Sequence, residues 1–234
     1  MFNLIVHYFY KKEKMITKQL FDFLSALKEN NTREWFHANK KEYESARKQA
    51  DALITNIIPE IVKLDPAVGS PVLKECGFRI NRDIRFSNDK SPYKTNMGYF
   101  IAKGGRKSIF PGYYLHFEPG SCMIAGGVYM PQPDVLKKIR SEVYFNATEF
   151  NKILNEQAFK NNFGELDDFD KLKKAPAGFP PDFEYVDLLK YRSYTVVHSV
   201  TDETVMDGNF SQYALEIFKT MLPLHQFLVK AINN

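Results

Sequence analysis

The sequence predicts an α+β fold in which an antiparallel sheet of about five strands packs against helices. A helical hairpin precedes the sheet and a helix closes the chain. Three observations support this prediction. Apolar residues recur every three or four positions before residue 65. From residue 78 they alternate with polar residues. Gly and Pro pairs then separate short apolar runs, as the turns of a meander do.

The region before residue 65 is predicted to be a helical hairpin. Thr17 is placed to cap a first helix and Thr32 a second. The second helix carries apolar residues from Trp35 to Ile61, and we expect Pro59 to disturb it. The apolar face of the first helix consists of Leu20, Phe21, Phe23, Leu24 and Leu27.

The middle of the chain has the period of strands. Gly104-Gly105 predicts a tight hairpin turn, after which residues 108–110 continue the sheet. Residues 118–121 place Pro and Gly where a type II turn requires them. The other predicted strands are residues 78–86, 98–102, 112–118, 122–130 and 191–198.

The remaining segments complete a single domain. Asp134 and Thr148 are placed to cap two helices, and residues 210–232 form the last helix, interrupted near Pro223. Because no linker or repeat divides residues 15–234, we predict one domain there. Residues 1–14 are expected to be a frayed extension, since their lysines follow the apolar run instead of preceding it, unlike a signal peptide.

Composition excludes several classes of protein. Hydrophobic residues form 44% of the chain and charged residues 26%, which is globular and not disordered. No apolar run is long enough to cross a bilayer, so no membrane partner is expected. Cys76 and Cys122 lie far apart, which favours reduced thiols in a cytoplasmic protein over a disulfide framework or a structural zinc site.

Positive charge is concentrated in one part of the sequence. Residues 71–112 contain nine Lys or Arg and three acids, although the whole chain has a formal charge of only +4. A local positive field of this kind favours an anionic partner.

The predicted strand at residues 78–86 places four polar side chains on one face: Arg79, Asn81, Asp83 and Arg85. Asp83 between two guanidiniums would either orient them or stay ionised as a base. Arg82 falls on the apolar face, where an unpaired charge is costly, so it must find a partner or lie at the strand's end.

The loop at residues 87–96 adds further groups that bind phosphate or carboxylate. The predicted ligand-binding residues are Arg79, Arg82, Arg85, Lys90, Tyr93 and Lys94. The candidate catalytic residues are Asp83 and His116. Neither a Walker loop nor a G-x-G-x-x-G motif is present, and the sequence implies no cofactor.

His116 follows Tyr114 and precedes Glu118 on the polar side of a strand, opposite Leu115 and Phe117. If this strand pairs near residues 79–85, His116 would be a general acid or base beside Asp83. The alternative is a surface His and Glu on a solvated sheet face. No third ligand accompanies His116 and Glu118, so no metal site is predicted.

Several motifs resemble a known family. R-x-x-R-D-x-R-F-x-x-x-K-x-x-Y runs from Arg79 to Tyr93, and N-x-R-E-W-F-x-x-N-K occupies residues 31–40. Further matching positions are Ser91-Pro92-Tyr93-Lys94, Gly126-Gly127, Ala175-Pro176 and Gly178-Phe179. From about residue 16 onward the chain resembles an uncharacterised, mainly bacterial family, domain of unknown function 2461. The resemblance implies no substrate, because the family has no established activity.

Three hypotheses for function follow. In the first, residues 79–96 bind a small phosphorylated or acidic compound, with or without catalysis. In the second, less favoured, the basic segment and its aromatic residues bind nucleic acid. In the third, the Arg and Asp side chains pair internally and stabilise a structural or interaction domain.

Overall fold

The computed structural model describes residues 15–234, and the predicted frayed extension at residues 1–14 lies outside them. The α+β fold class is confirmed. Within the described residues the helices are α1 (Lys18–Glu29), α2 (Arg33–Ala38), α3 (Lys40–Leu64), α4 (Leu73–Cys76), α5 (Pro133–Phe145), α6 (Ala147–Asn155), α7 (Gln157–Phe163), α8 (Val186–Leu189), α9 (Asp202–Met206) and α10 (Phe210–Asn233). The strands are β1 (Met97–Ile101), β2 (Gly112–Phe117), β3 (Cys122–Val128) and β4 (Tyr194–Val200).

The N-terminal helices form where the apolar period predicts them. Thr32 caps α2 by accepting a hydrogen bond from the Trp35 amide at 3.2 Å. The predicted second helix is divided at Asn39, whose backbone (φ −107°, ψ 25°) leaves the helical region. Pro59 lies inside α3 without ending it, and Thr17 bonds the side chain of Gln49 instead of capping α1.

The sheet is an antiparallel meander of order β1-β2-β3-β4. The Glu118–Ser121 turn is confirmed, with the Ser121 amide 2.9 Å from the Glu118 carbonyl and Gly120 at φ +71°. Residues 105–107 form a 3-10 turn in place of the predicted tight hairpin turn. The chain returns to the sheet at β2, which pairs with β1. Residues 108–110, predicted to be a strand, remain outside the sheet.

The predicted strand at residues 78–86 is wrong. Isolated bridges join Gly77 to Tyr99 and Asn81 to Tyr93. The chain turns back on itself between Asn81 and Tyr93. The Lys94 amide donates to the Ile80 carbonyl at 2.8 Å, so the segment's own return path supplies its backbone partners. Phe86, an apolar position of the predicted strand, is 95% exposed. Alternation produces a strand only where a neighbour satisfies the backbone over several residues.

One face of the sheet packs into the core against α3 and α10. Two buried tyrosines on this face carry their hydroxyls to acidic side chains of the α3 region. The Tyr99 hydroxyl donates to Asp51 at 2.6 Å, and the Tyr113 hydroxyl donates to Asp65 at 2.9 Å. The sheet is therefore fixed to α3 by directional bonds as well as by apolar contact.

Gly127 lies where the backbones of β3 and β4 approach each other closely. It has φ +113°, and a Cβ atom there would lie 2.1 Å from the Tyr194 carbonyl oxygen. We expect Gly127→Ala to lower the free energy of unfolding by at least about 3 kcal/mol, because backbone strain and a steric clash add. Chemical denaturation measures the loss.

The control for this prediction is Gly104→Ala. Gly104 also has positive φ, +83°, but nothing lies within 4 Å of its Cβ position. Only strain applies there, and the expected loss is about 1 kcal/mol. Equal losses in the two variants would contradict the close approach at Gly127.

Candidate functional site

The sheet face opposite the core lines a cleft of about 630 Å³. Small residues in β1 and β3, the strands on either side of β2, leave open space above the sheet. Gly98 of β1 pairs with His116 of β2, and Ala125 of β3 pairs with Tyr114 of β2. A Cβ atom on Gly98 would come 2.4 Å from the Tyr114 hydroxyl, so the glycine leaves the space that this hydroxyl occupies. Apolar side chains around the floor include Phe78, Phe100, Phe110, Met123, Val128 and Val197.

A chain of hydrogen bonds runs along the cleft side of β2. The Tyr114 hydroxyl is 2.9 Å from Nδ1 of His116, and Nε2 of His116 is 3.1 Å from Oε2 of Glu118. The Thr95 hydroxyl donates to Oε1 of Glu118 at 2.7 Å. The period of two in β2 brings Tyr114, His116 and Glu118 to the same face, as the sequence predicts.

His116 is 9% exposed, so it does not lie on a solvated face. Nor does β2 pair near residues 79–85, since its neighbours are β1 and β3. The pairing that would place His116 beside Asp83 is therefore absent from the described sheet. Burial raises the pKa of Tyr114 to about 12, and the nearby charges of Glu118 and Tyr129 contribute to the increase.

Lys94 is the member of the predicted basic set that lines the cleft. Its ammonium lies 5.3 Å from the centroid of the Phe78 ring. Burial lowers the pKa of Lys94, and the charge of Arg79 lowers it further. Within residues 15–234, no carboxylate lies within ion-pair distance of Lys94.

Arg82 instead stabilises the loop that follows it. Its guanidinium pairs with Asp89 and approaches the Ser91 carbonyl at 3.3 Å and the Ser87 hydroxyl at 3.4 Å. Lys90 also acts inside the loop, donating to the Ile84 carbonyl at 3.0 Å. The partner that Arg82 was expected to need is therefore Asp89.

Four other predicted site residues lie apart from the cleft lining. Asp83 and Arg85 pair with each other at 2.7 Å on the surface, and hydrogen bonds from Arg85 lower the pKa of Asp83 to about 2. Arg79 is exposed. Tyr93 is buried and stacks on Phe36, with ring centroids 3.9 Å apart.

Asn31, which lies between α1 and α2, and Arg47 of α3 hold the irregular segment at residues 77–96 against the body of the domain. The side chain of Asn31 donates to the Tyr93 carbonyl at 3.0 Å and accepts from the Tyr93 amide at 3.1 Å. Arg47 donates to the Phe78 carbonyl at 2.9 Å and pairs with Asp51 at 2.8 Å. The sequence does not indicate the contacts with Tyr93 and Phe78, because each joins positions more than thirty residues apart.

The far side of the cleft carries polar groups that sequence reasoning missed. Thr195 is 7% exposed, and its hydroxyl has no hydrogen-bond partner in the described structure. Asp167 also lines the cleft, and its amide donates to the Thr195 carbonyl at 2.9 Å. At the rim, Met130 has a positive φ of 44°, which is rare for a residue other than glycine. No local motif marks these residues, since only strand pairing brings them to the cleft.

A family model described as "Conserved hypothetical protein (DUF2461)" matches residues 19–227. The chain belongs to this family. The matched range spans residues 79–93, the irregular segment and the four strands of the described sheet. No curated protein and no solved structure matches the chain.

Two further findings concern the DUF2461 domain described by residues 15–234. None of its helices combines the length and apolar character needed to cross a membrane. Nor do three or more His, Cys, Asp or Glu side chains in this region come together as a metal site.

The Arg82 contacts predict a local effect of substitution. We expect Arg82→Gln to speed amide hydrogen exchange in residues 82–91 while shifting the melting temperature little, because the loop is exposed and its contacts are internal. Arg79→Gln is the control, since Arg79 is exposed and makes no ion pair in the described chain. Unchanged amide hydrogen exchange in Arg82→Gln would contradict the conclusion that Arg82 stabilises this loop.

The same loop should respond to acid. Hydrogen bonds from Ser91 and then from Arg82 lower the pKa of Asp89 from 3.8 to about 2. Because the folded-state pKa is depressed, the contribution of Asp89 to stability is present above pH 3.8 and is lost as the pH falls toward 2. Protection of residues 82–91 should therefore decrease over that range.

Proposed function

We propose that the cleft binds a small organic acid, with the acid group against Lys94 and an apolar body over the floor of the sheet. The observation that carries this proposal is the state of Lys94. It is a partly buried cation that lines the cleft and has no carboxylate partner within the described residues.

A cation in such surroundings is costly unless a counter-charge compensates for lost hydration. Arg82 and Arg85 each have a carboxylate of their own in the loop. Among the described residues, Lys94 has no carboxylate partner and its ammonium lies over the face of the Phe78 ring. A bound carboxylate, phosphate or sulfonate would supply the missing negative charge at short range.

The remainder of the cleft favours an apolar or aromatic ligand body. Its volume of about 630 Å³ is typical of small-molecule sites, and most of its lining is apolar. We propose that Thr195, whose buried hydroxyl has no partner in the described structure, and Asp167, which lines the same side of the cleft, bind a hydroxyl or amino group of the ligand. These groups favour a compound that carries both an acid and a second polar substituent.

This proposal moves the predicted anion site. Of the predicted ligand-binding set, Lys94 contributes to the cleft lining, whereas Arg82 and Lys90 stabilise the adjacent loop. The nucleic-acid alternative is less well supported, since three of the four aromatic residues that would stack on bases, Tyr93, Tyr99 and Tyr113, are buried in the core.

The proposal predicts charge-dependent binding of a simple aryl acid. Benzenesulfonate should bind the wild-type protein, and benzyl alcohol, a neutral compound of similar size, should bind far more weakly. Lys94→Met keeps the apolar stem over Phe78 but removes the charge. We expect it to lower benzenesulfonate affinity about 10-fold to 100-fold, the value of a charge-assisted hydrogen bond. Isothermal titration calorimetry measures both ligands.

Lys41→Met is the matched control, because Lys41 is an exposed lysine of α3 without an ion pair in the described chain. Its affinity for benzenesulfonate should equal that of the wild type. Equal binding of benzenesulfonate and benzyl alcohol, or full affinity in Lys94→Met, would refute the acid site.

A further inference from the structure

Binding an acid at Lys94 leaves one feature of the cleft unused, the hydrogen-bonded chain from Thr95 through Glu118 and His116 to Tyr114. Both nitrogens of His116 have partners, Tyr114 at 2.9 Å and Glu118 at 3.1 Å. Tyr114 and His116 both line the cleft. The chain therefore leads from the Glu118 carboxylate to the hydroxyl of Tyr114, a residue that lines the cleft.

The direction of these hydrogen bonds follows from the chemistry of the groups. An ionised carboxylate only accepts, so the Nε2 atom beside Glu118 carries hydrogen. In neutral His116 the other nitrogen, Nδ1, is then an acceptor, and the Tyr114 hydroxyl must donate to it. Tyr114 consequently presents only oxygen lone pairs to the cleft, which repel an anion.

Protonation of His116 reverses the bond to Tyr114. Imidazolium carries hydrogen on both nitrogens, so Nδ1 donates to the Tyr114 oxygen while Nε2 still donates to Glu118. The hydroxyl hydrogen of Tyr114 is then free to point into the cleft and bond an anion. Adding one proton at Nδ1 of His116 therefore makes the Tyr114 hydroxyl a hydrogen-bond donor to the ligand.

We propose that Tyr114 and His116 form an acid–base pair that acts on the organic acid in the cleft, with Tyr114 as the contacting group and His116 as the proton store. In the acid direction, Tyr114 gives its hydroxyl proton to a basic atom of the ligand while the Nδ1 hydrogen of His116 moves to the Tyr114 oxygen. His116 becomes neutral, the ligand gains one proton, and no other reactant is needed. The inference rests on the proposed function, because it requires the acid to lie in the cleft.

The charged groups around His116 agree with this role. Glu118, the residue after β2, accepts a hydrogen bond from Nε2 of His116, and the other charged side chains that line the same cleft are Lys94, Arg106, Lys107 and Asp167. The cross-strand neighbours of His116, Gly98 on β1 and Met123 on β3, carry no charge. An anion that accepts a hydrogen bond from the Tyr114 hydroxyl requires that hydroxyl to stop donating to Nδ1, which is satisfied when Nδ1 of His116 carries hydrogen.

The other members of the chain fit supporting roles. Burial raises the pKa of Tyr114 to about 12, so the phenol stays protonated and can relay a proton without becoming an anion. Thr95 fixes Glu118 from the side away from His116, at 2.7 Å. Glu118 and Thr95 are positioning residues, since they reach the ligand only through His116.

The test is proton uptake on binding of benzenesulfonate, whose acid group stays ionised throughout the pH range used. In a pH-stat titration near neutral pH, wild-type protein should take up a measurable fraction of a proton, up to about one, per ligand bound. His116→Gln should bind without uptake. Tyr114→Phe should bind with reduced uptake, because imidazolium loses its acceptor at Nδ1. Binding without uptake in the wild type, or full uptake in either variant, would overturn the acid–base pair.

Nitrogen-15 NMR of the imidazole tests the same assignment in unmodified protein. In the free protein at high pH, His116 should carry hydrogen on Nε2 and none on Nδ1, and benzenesulfonate should protonate both. Hydrogen on Nδ1 in the neutral form would overturn the inference even if the ligand binds. Failure of benzenesulfonate to bind would instead refute the proposed function, while the free-protein spectrum would still decide the direction of the Tyr114 bond.

Discussion

The pleat of β2 is the constraint on which both the core and the cleft depend. Leu115 and Phe117 enter the core from one face, while Tyr114 and His116 line the cleft on the other. A shift of one residue in register would exchange the two sets and bury the polar pair against α10. The pairing of β2 with β1 and β3 prevents that shift.

Charge in the segment before β1 is divided between two uses. In the loop, Arg82 pairs with Asp89 and Arg85 with Asp83, so those guanidiniums have counter-charges within a few residues. Lys94 has none within the described chain and lies beside the apolar floor of the cleft. The difference arises from position, because the loop projects into solvent while Lys94 returns toward the sheet.

The irregular backbone at residues 77–96 lacks a continuous strand partner, so side chains of the N-terminal helical hairpin and its connecting turn fix it in place. Asn31 forms two hydrogen bonds with the backbone of Tyr93, and Arg47 bonds the carbonyl of Phe78. These contacts place Lys94 and Thr95 next to β2. The helical hairpin thus contributes to the cleft without supplying any of its lining residues.

The sequence by itself determined the α+β class, the helical hairpin, the turn at Glu118–Ser121 and the shared face of Tyr114, His116 and Glu118. Each of these depends on residues close together in the chain, where period and turn chemistry are decisive. Only the tertiary structure decided that residues 78–86 form no strand, and that Lys94 and Thr195 line one cleft. Those outcomes depend on which distant segment hydrogen-bonds each backbone group and buries each side chain. The local sequence pattern does not specify that segment.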